Sequence, residues 1–168
     1  MDLAQAVRSP WLDLLGSIIG TFGLVEVATG LALGIAVARF RHGSRDWVVP
    51  LFIVLTLAVE AFLKIVFPHA PPPADRARTV ELLPHLHVQF TNSFPSGHVA
   101  RLTFLAAIVH GVPLWLRVGA VALMIASRLY LGEHWLSDCI GGFAAGAAVA
   151  ALGRWYFRRS THTFRKAL

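Results

Sequence analysis

Two short stretches hold the side chains able to do chemistry. The first is Phe94-Pro95-Ser96-Gly97-His98. Proline suits the first turn of a helix, where its missing N–H would have no partner anyway. The N–H groups of Ser96 and Gly97 are then expected to lack intrahelical partners and to point outward, an arrangement that binds anions and phosphate above all. The Ser96 hydroxyl adds a donor, Gly97 permits close approach, and His98 stands one turn in, able to give or take a proton. The second stretch is Ser127-Arg128, followed by His134 and Asp138. Those last two are four residues apart and share one helix face. The carboxylate can hold one imidazole nitrogen and leave the other free to attack phosphorus, supporting the cation that results. Arg128 brings a planar fork suited to phosphate oxygens. Together these side chains suggest histidine-centred handling of phosphate.

The elements that must position them are written in the composition. Of the 168 residues, 56% are hydrophobic and 14% charged, against about a quarter charged in soluble domains. The apolar residues come in long runs rather than amphipathic stripes, which points to lipid. Five runs read as membrane helices: 22–38, 47–67, 95–111, 113–131 and 135–153, each near the about 17–25 residues that span a bilayer. The stretch 11–19 is too short to cross and contains Asp13, so it reads as an interfacial or re-entrant helix. No charged region with a cleavage site precedes the first apolar run, so no signal peptide is expected. The expected fold is a single all-α membrane domain over 1–168: about five transmembrane helices, an interfacial helix within 1–21, an outer loop 68–94 and a basic tail 154–168.

Helix lengths bring the two stretches to one level. The helix from Pro95 runs about 25 Å inward, reverses at Gly111–Pro113, and returns so that Arg128 lies near the outer end and His134 opens the next inward helix. Net charge is +6, with Arg39, Arg41, Arg45, Arg117, Arg154, Arg158, Arg159, Arg165 and Lys166 all on the opposite face. The positive-inside rule makes that face cytoplasmic. The expectation is a multi-pass protein of the cell membrane, with an extracytoplasmic site and a cytoplasmic C-terminus. The basic tail reads as orientation and anionic-lipid contact, not nucleic-acid binding. Small residues recur at four-residue spacing in Gly16 and Gly20, Gly30 and Gly34, and Gly142 and Gly146, which suits close helix packing within the chain, with a homodimer as the alternative.

Pro95-Ser96-Gly97-His98 and Ser127-Arg128-x5-His134-x3-Asp138 resemble the second and third signatures of the type 2 phosphatidic acid phosphatase (PAP2) family, related to bacterial acid phosphatases and vanadium haloperoxidases. The likeness runs from about Trp11 to Trp155. The family's first signature is a lysine, six residues, then Arg-Pro. Lys64 and Pro72 fit it, but Pro71 stands where the arginine belongs. Arg101 is the favoured substitute cation, with Arg76 and Arg78 as alternatives.

The resemblance implies that His134 attacks phosphorus to form a phosphohistidine while Asp138 orients it. His98 would protonate the leaving oxygen and then activate water. Lys64, Arg128, Ser96, Gly97 and Arg101 would hold the phosphate, with no metal and no cofactor. The implied substrate is a lipid phosphate or diphosphate of the phosphatidate, phosphatidylglycerophosphate or polyprenyl type, entering from the bilayer past a rim or lid at 80–90. Glu60 is expected to pair with Lys64, four residues on, and Glu133 to face water. His69, His85 and His87 leave a metal site in the outer loop as an alternative. Two other readings stay open: phosphotransfer from the same phosphohistidine to a lipid or sugar, and a catalytically decayed phospholipid binder.

Overall fold

The computed structural model describes residue 5, residues 7–83 and residues 91–166. It is all helical: α1 (Pro10–Thr21), α2 (Val25–Arg41), α3 (Ile53–Val66, entered through a 3-10 turn at Val49–Phe52), α4 (Gly97–Ile108), α5 (Leu114–Tyr130) and α6 (Leu136–Lys166). Two segments, Val49–Val66 and Leu136–Arg159, are long and apolar enough to cross a membrane. The helices α1 and α2, bent by 46° at the break between them, count as a third if they form one span. In that case the interfacial helix and the first span expected from the sequence are two arms of one bent unit.

The packing inverts that of a soluble bundle. Small side chains face inward: Ala28 and Ala32 on α2 are 0% exposed, while Ile65 on α3 is 75% and Trp115 on α5 is 72% exposed. Between helices in lipid, close backbone approach and dispersion replace the hydrophobic effect, and small residues allow it. Gly142 and Gly146 on α6 lie against α4, where a Cβ would come within 2.4 Å of the Ser96 carbonyl oxygen and 2.2 Å of that of Ala100. Gly16 and Gly20 on α1 meet Leu131 and Arg128. The third pair departs from expectation, since Gly30 and Gly34 have nothing within 4 Å among the described residues.

At the centre stands α4, most of whose residues are buried, Val99, Ala100 and Phe104 deepest among them. It is shorter than the run 95–111 suggested. Its 12 residues make a rod of about 18 Å, well under the about 30 Å hydrocarbon core. The last carbonyls of a helix have no partners within it and cannot be left bare in lipid. Arginines from three helices meet them. Arg39 donates to the Ile108 oxygen at 2.5 Å, Arg117 to that of Ala106 at 3.2 Å, and Arg154 to that of Ala107. Arg39 also pairs with Asp46 at 3.0 Å. The basic residues expected at 154–168 continue α6 as helix as far as Lys166.

At the other end, the chain leaving α3 is fastened to the chain entering α4. Lys64 Nζ donates to the carbonyls of Asn92 and Ser93, both at 3.1 Å, and Asn92 Nδ2 donates back to the Lys64 carbonyl at 2.7 Å. The Ser93 N–H donates to the His69 carbonyl at 2.8 Å, and the Trp135 indole to that of Ala70 at 2.9 Å. From there the loop runs over the α5–α6 turn. Its Arg78 N–H donates to the Leu131 carbonyl at 3.0 Å, and Gly132, at φ +74°, leaves no room for a side chain beneath the Arg76 carbonyl.

Candidate active site

His134 and Asp138 come together, though not along one helix face as expected: α6 begins at Leu136, and His134 reaches Asp138 from the turn before it. His134 Nδ1 lies 3.4 Å from Asp138 Oδ2, and that oxygen also accepts the Trp135 N–H at 2.9 Å. Asp138 is fully buried. The Pro95–His98 stretch is tied to it through main chain, because the Ser96 N–H donates to the Asp138 carbonyl at 2.9 Å. That bond corrects the expectation of an outward-pointing Ser96 amide: the entry to α4 uses this donor to dock on α6. The Ser96 hydroxyl, also buried, has no hydrogen-bond partner among the described residues.

His98 and Arg128 line one cavity of about 80 Å³ together with Ser17 and Gly20 of α1, Glu133, and loop residues Val80, Leu82 and Leu83. The expected rim at 80–90 is therefore present in its first residues; 84–90, with His85 and His87, fall outside the described residues. Helix α1 supplies the near wall. A Cβ on Gly20 would lie 2.2 Å from the Arg128 guanidinium, and one on Gly23 would lie 2.8 Å from the His98 Cα. Only glycine lets the bend between α1 and α2 settle this closely on both side chains.

Arg128 is almost wholly buried. It donates to the Gly16 carbonyl at 3.2 Å and forms an ion pair with Glu133, whose other oxygen accepts the Thr79 hydroxyl. Glu133 was expected to face water; a buried guanidinium needs a counter-charge, and Glu133 is the carboxylate within reach.

Arg101 lies elsewhere. Its guanidinium pairs with Glu60 and donates through Nε to the Gly23 carbonyl at 2.6 Å. A Cβ on Gly97 would strike the Glu60 carboxylate, so this pair is packed beneath the start of α4. Of the other proposed substitutes for the absent arginine, Arg78 has its guanidinium engaged elsewhere, and Arg76 contributes its main-chain carbonyl to the anchoring of the loop. Arg78 donates to the Tyr130 carbonyl at 2.7 Å and stacks on that ring at 4.3 Å, while the Arg76 carbonyl receives Gln5.

His69 is the residue that sequence reasoning misplaced. It was weighed only as a metal ligand in the outer loop, yet its Nδ1 sits 2.9 Å from Asp138 Oδ1 and 3.1 Å from Ser93 Oγ. No spacing rule connects positions 69 and 138. The only sequence signal was a histidine five residues after Lys64.

The sequence model of the PAP2 superfamily matches residues 45–162. Phosphatidylglycerophosphatase B of Bacillus subtilis (strain 168) is 27% identical over 159 residues, 85% of this chain and 74% of the relative. A putative undecaprenyl-diphosphatase, YbjG, of Escherichia coli (strain K12) is 36% identical over 102 residues, 56% of this chain and 50% of the relative. In fold, the chain is similar to the crystal structure of Aquifex aeolicus LpxE, with a TM-score of 0.69 at 24% identity over 92% of both chains. The PAP2-type phosphatidylglycerolphosphate phosphatase of Bacillus subtilis gives a TM-score of 0.70 at 22% identity, covering 94% of this chain and 82% of that one. With the family's sequence model matched across both histidine signatures and its fold shared along nearly the whole chain, this protein belongs to the PAP2 superfamily.

Proposed function

We propose that this protein is a membrane lipid phosphatase that removes phosphate from a lipid phosphomonoester or diphosphate through a phosphohistidine on His134. The observation that carries the reading is the His134–Asp138 pair, bonded through main chain to the segment that presents His98. With Nδ1 toward the carboxylate, His134 Nε2 is free to attack phosphorus. His98 protonates the leaving oxygen and then draws a proton from water. Arg128, Lys64 and the Ser96 hydroxyl stabilise charge on the equatorial oxygens, the main protein contribution in phosphoryl transfer. Arg101 acts from beneath, through Glu60 and Gly97, rather than on the phosphate. Phosphate entering the cavity takes the place of Glu133 on Arg128.

The basic residues Arg39, Arg117 and Arg154 lie at the opposite end of the bundle, which supports an extracytoplasmic site. A bilayer-borne substrate suits a cavity walled by α1 and by Val80, Leu82 and Leu83. We favour phosphatidylglycerophosphate or polyprenyl diphosphate as substrate, a reading that the names of the two sequence relatives support, with phosphatidate as the family's other class.

The test is phosphate release by purified protein in mixed micelles across these three lipids. At least one is expected to turn over, and His134→Ala to lower the rate by roughly 10⁴-fold. Equal rates in both would favour a phospholipid binder. Label passing to a lipid or sugar acceptor, with no free phosphate, would make the protein a phosphotransferase. Because His134 must be neutral and His98 protonated, kcat/KM is expected to be bell-shaped in pH; a flat profile between about pH 5 and 8 would count against these roles.

A further inference from the structure

Asp138 is flanked by two imidazoles. One of its oxygens, Oδ2, is used by His134 and by the Trp135 N–H. The other, Oδ1, is equally buried and makes no aligned hydrogen bond among the described residues, yet His69 Nδ1 stands 2.9 Å from it. A buried carboxylate oxygen calls for positive charge or a donor. His69 is held in place to supply it. Its carbonyl accepts from Ser93 N at 2.8 Å and Ser93 Oγ at 3.1 Å, and its ring meets Phe94 edge-on at 6.5 Å. The next residue, Ala70, is fixed by the Trp135 indole. The ring is partly open to solvent, with 42% of the side chain exposed.

We propose that His69 is a positioning residue of the phosphatase site, setting through Asp138 how tightly His134 holds its proton. The proposal rests on the phosphatase reading. An ionised carboxylate only accepts, so a ring carrying its proton on Nδ1 faces Asp138 Oδ1 and Ser93 Oγ with a donor. Any charge or donor at Oδ1 weakens the pull of Asp138 on a proton at His134, which keeps the His134 imidazole neutral and nucleophilic to lower pH. The stretch that lacks the family's arginine thus brings a different cation-capable side chain to the centre, against the carboxylate. The other ionisable groups around the site are Lys64 from α3, His98 from α4, Arg128 from α5 and Glu133 from the α5–α6 turn, and all stay unchanged in the test.

The experiment compares wild type, His69→Phe and His69→Asn in pH profiles of kcat/KM with a lipid phosphate, alongside His134→Ala. The phenyl ring keeps the packing on Phe94 and removes the N–H. His69→Phe is expected to move the acidic limb up by about one pH unit and to lower kcat/KM about tenfold below the limb, with KM little changed. His69→Asn, which retains a donor, returns the limb most of the way. A limb unmoved in His69→Phe overturns the proposal, as does lost thermal stability with an unchanged profile, which would make His69 a packing residue. A second measurement needs no turnover: ¹⁵N-histidine NMR of the protein in detergent should show His134 titrating at higher pH in His69→Phe. If wild type hydrolyses no lipid phosphate, the phosphatase reading fails and this titration alone decides the coupling. An identical His134 midpoint in both proteins would refute it.

Discussion

At one end of α4, guanidiniums from Arg39, Arg117 and Arg154 close on the carbonyls of Ile108, Ala106 and Ala107. At the other end, Arg128, Lys64, His98 and His134 stand around the start of the same helix. Both ends gather cationic or cation-capable side chains, and the consequences differ. Main-chain oxygens at the first end are permanent partners that nothing in solution displaces. At the second, Arg128 is neutralised by a single carboxylate from a turn, and a phosphate can compete for it. A cation in a membrane protein is therefore classified by its partner, main-chain oxygen or replaceable carboxylate, more than by its depth.

Substitutions at the two ends sharpen this contrast. The largest effect is expected for Asp138→Asn, which keeps the shape of the site but loses the charge that supports His134. Phosphate release should fall by about 10³–10⁴-fold while thermal unfolding in detergent changes little, and an active Asp138→Asn protein would sink the assigned roles. Next comes Arg39→Met at the opposite end, which strands the Ile108 carbonyl and Asp46. It should lower stability by roughly 2 kcal/mol, read by thermal or denaturant unfolding, with the pH profile of activity unmoved. A changed profile there would erase the distinction between the ends. The smallest effect is expected for Glu133→Gln, which removes the carboxylate that competes with phosphate for Arg128. KM for the lipid phosphate should drop about threefold, and a raised KM would mean that Glu133 assists binding.

What could be read from the sequence followed from local geometry. The four-residue step from His134 to Asp138 and the Pro-Ser-Gly-His entry to α4 are local in sequence, and each lies at the start of a helix, though His134 stands two residues before α6 and α4 begins only at Gly97. Pairings between helices were not legible. Arg101 was open to phosphate or to a partner, and only the fold shows that Glu60, 41 residues earlier, takes it. The Ser96 amide looked unpartnered because its acceptor, the Asp138 carbonyl, belongs to another helix. The end of α4 was placed too late because an apolar run gives no sign of where carbonyls find outside donors. Likewise, Gly30-x3-Gly34 and Gly142-x3-Gly146 are one pattern in sequence, while one faces open space and the other a neighbouring backbone.

The fastening of 64–70 to 92–94 has a consequence for how such proteins diversify. Both feet of the outer loop are anchored by main-chain and lysine bonds that depend little on what lies between them. The entropy of closing a loop changes only slowly with its length, about 0.6 kcal/mol per doubling. Changes in the length of the chain between residues 83 and 92 are therefore expected to cost the fold little while both feet stay anchored, so that stretch can vary apart from the His134–Asp138 pair.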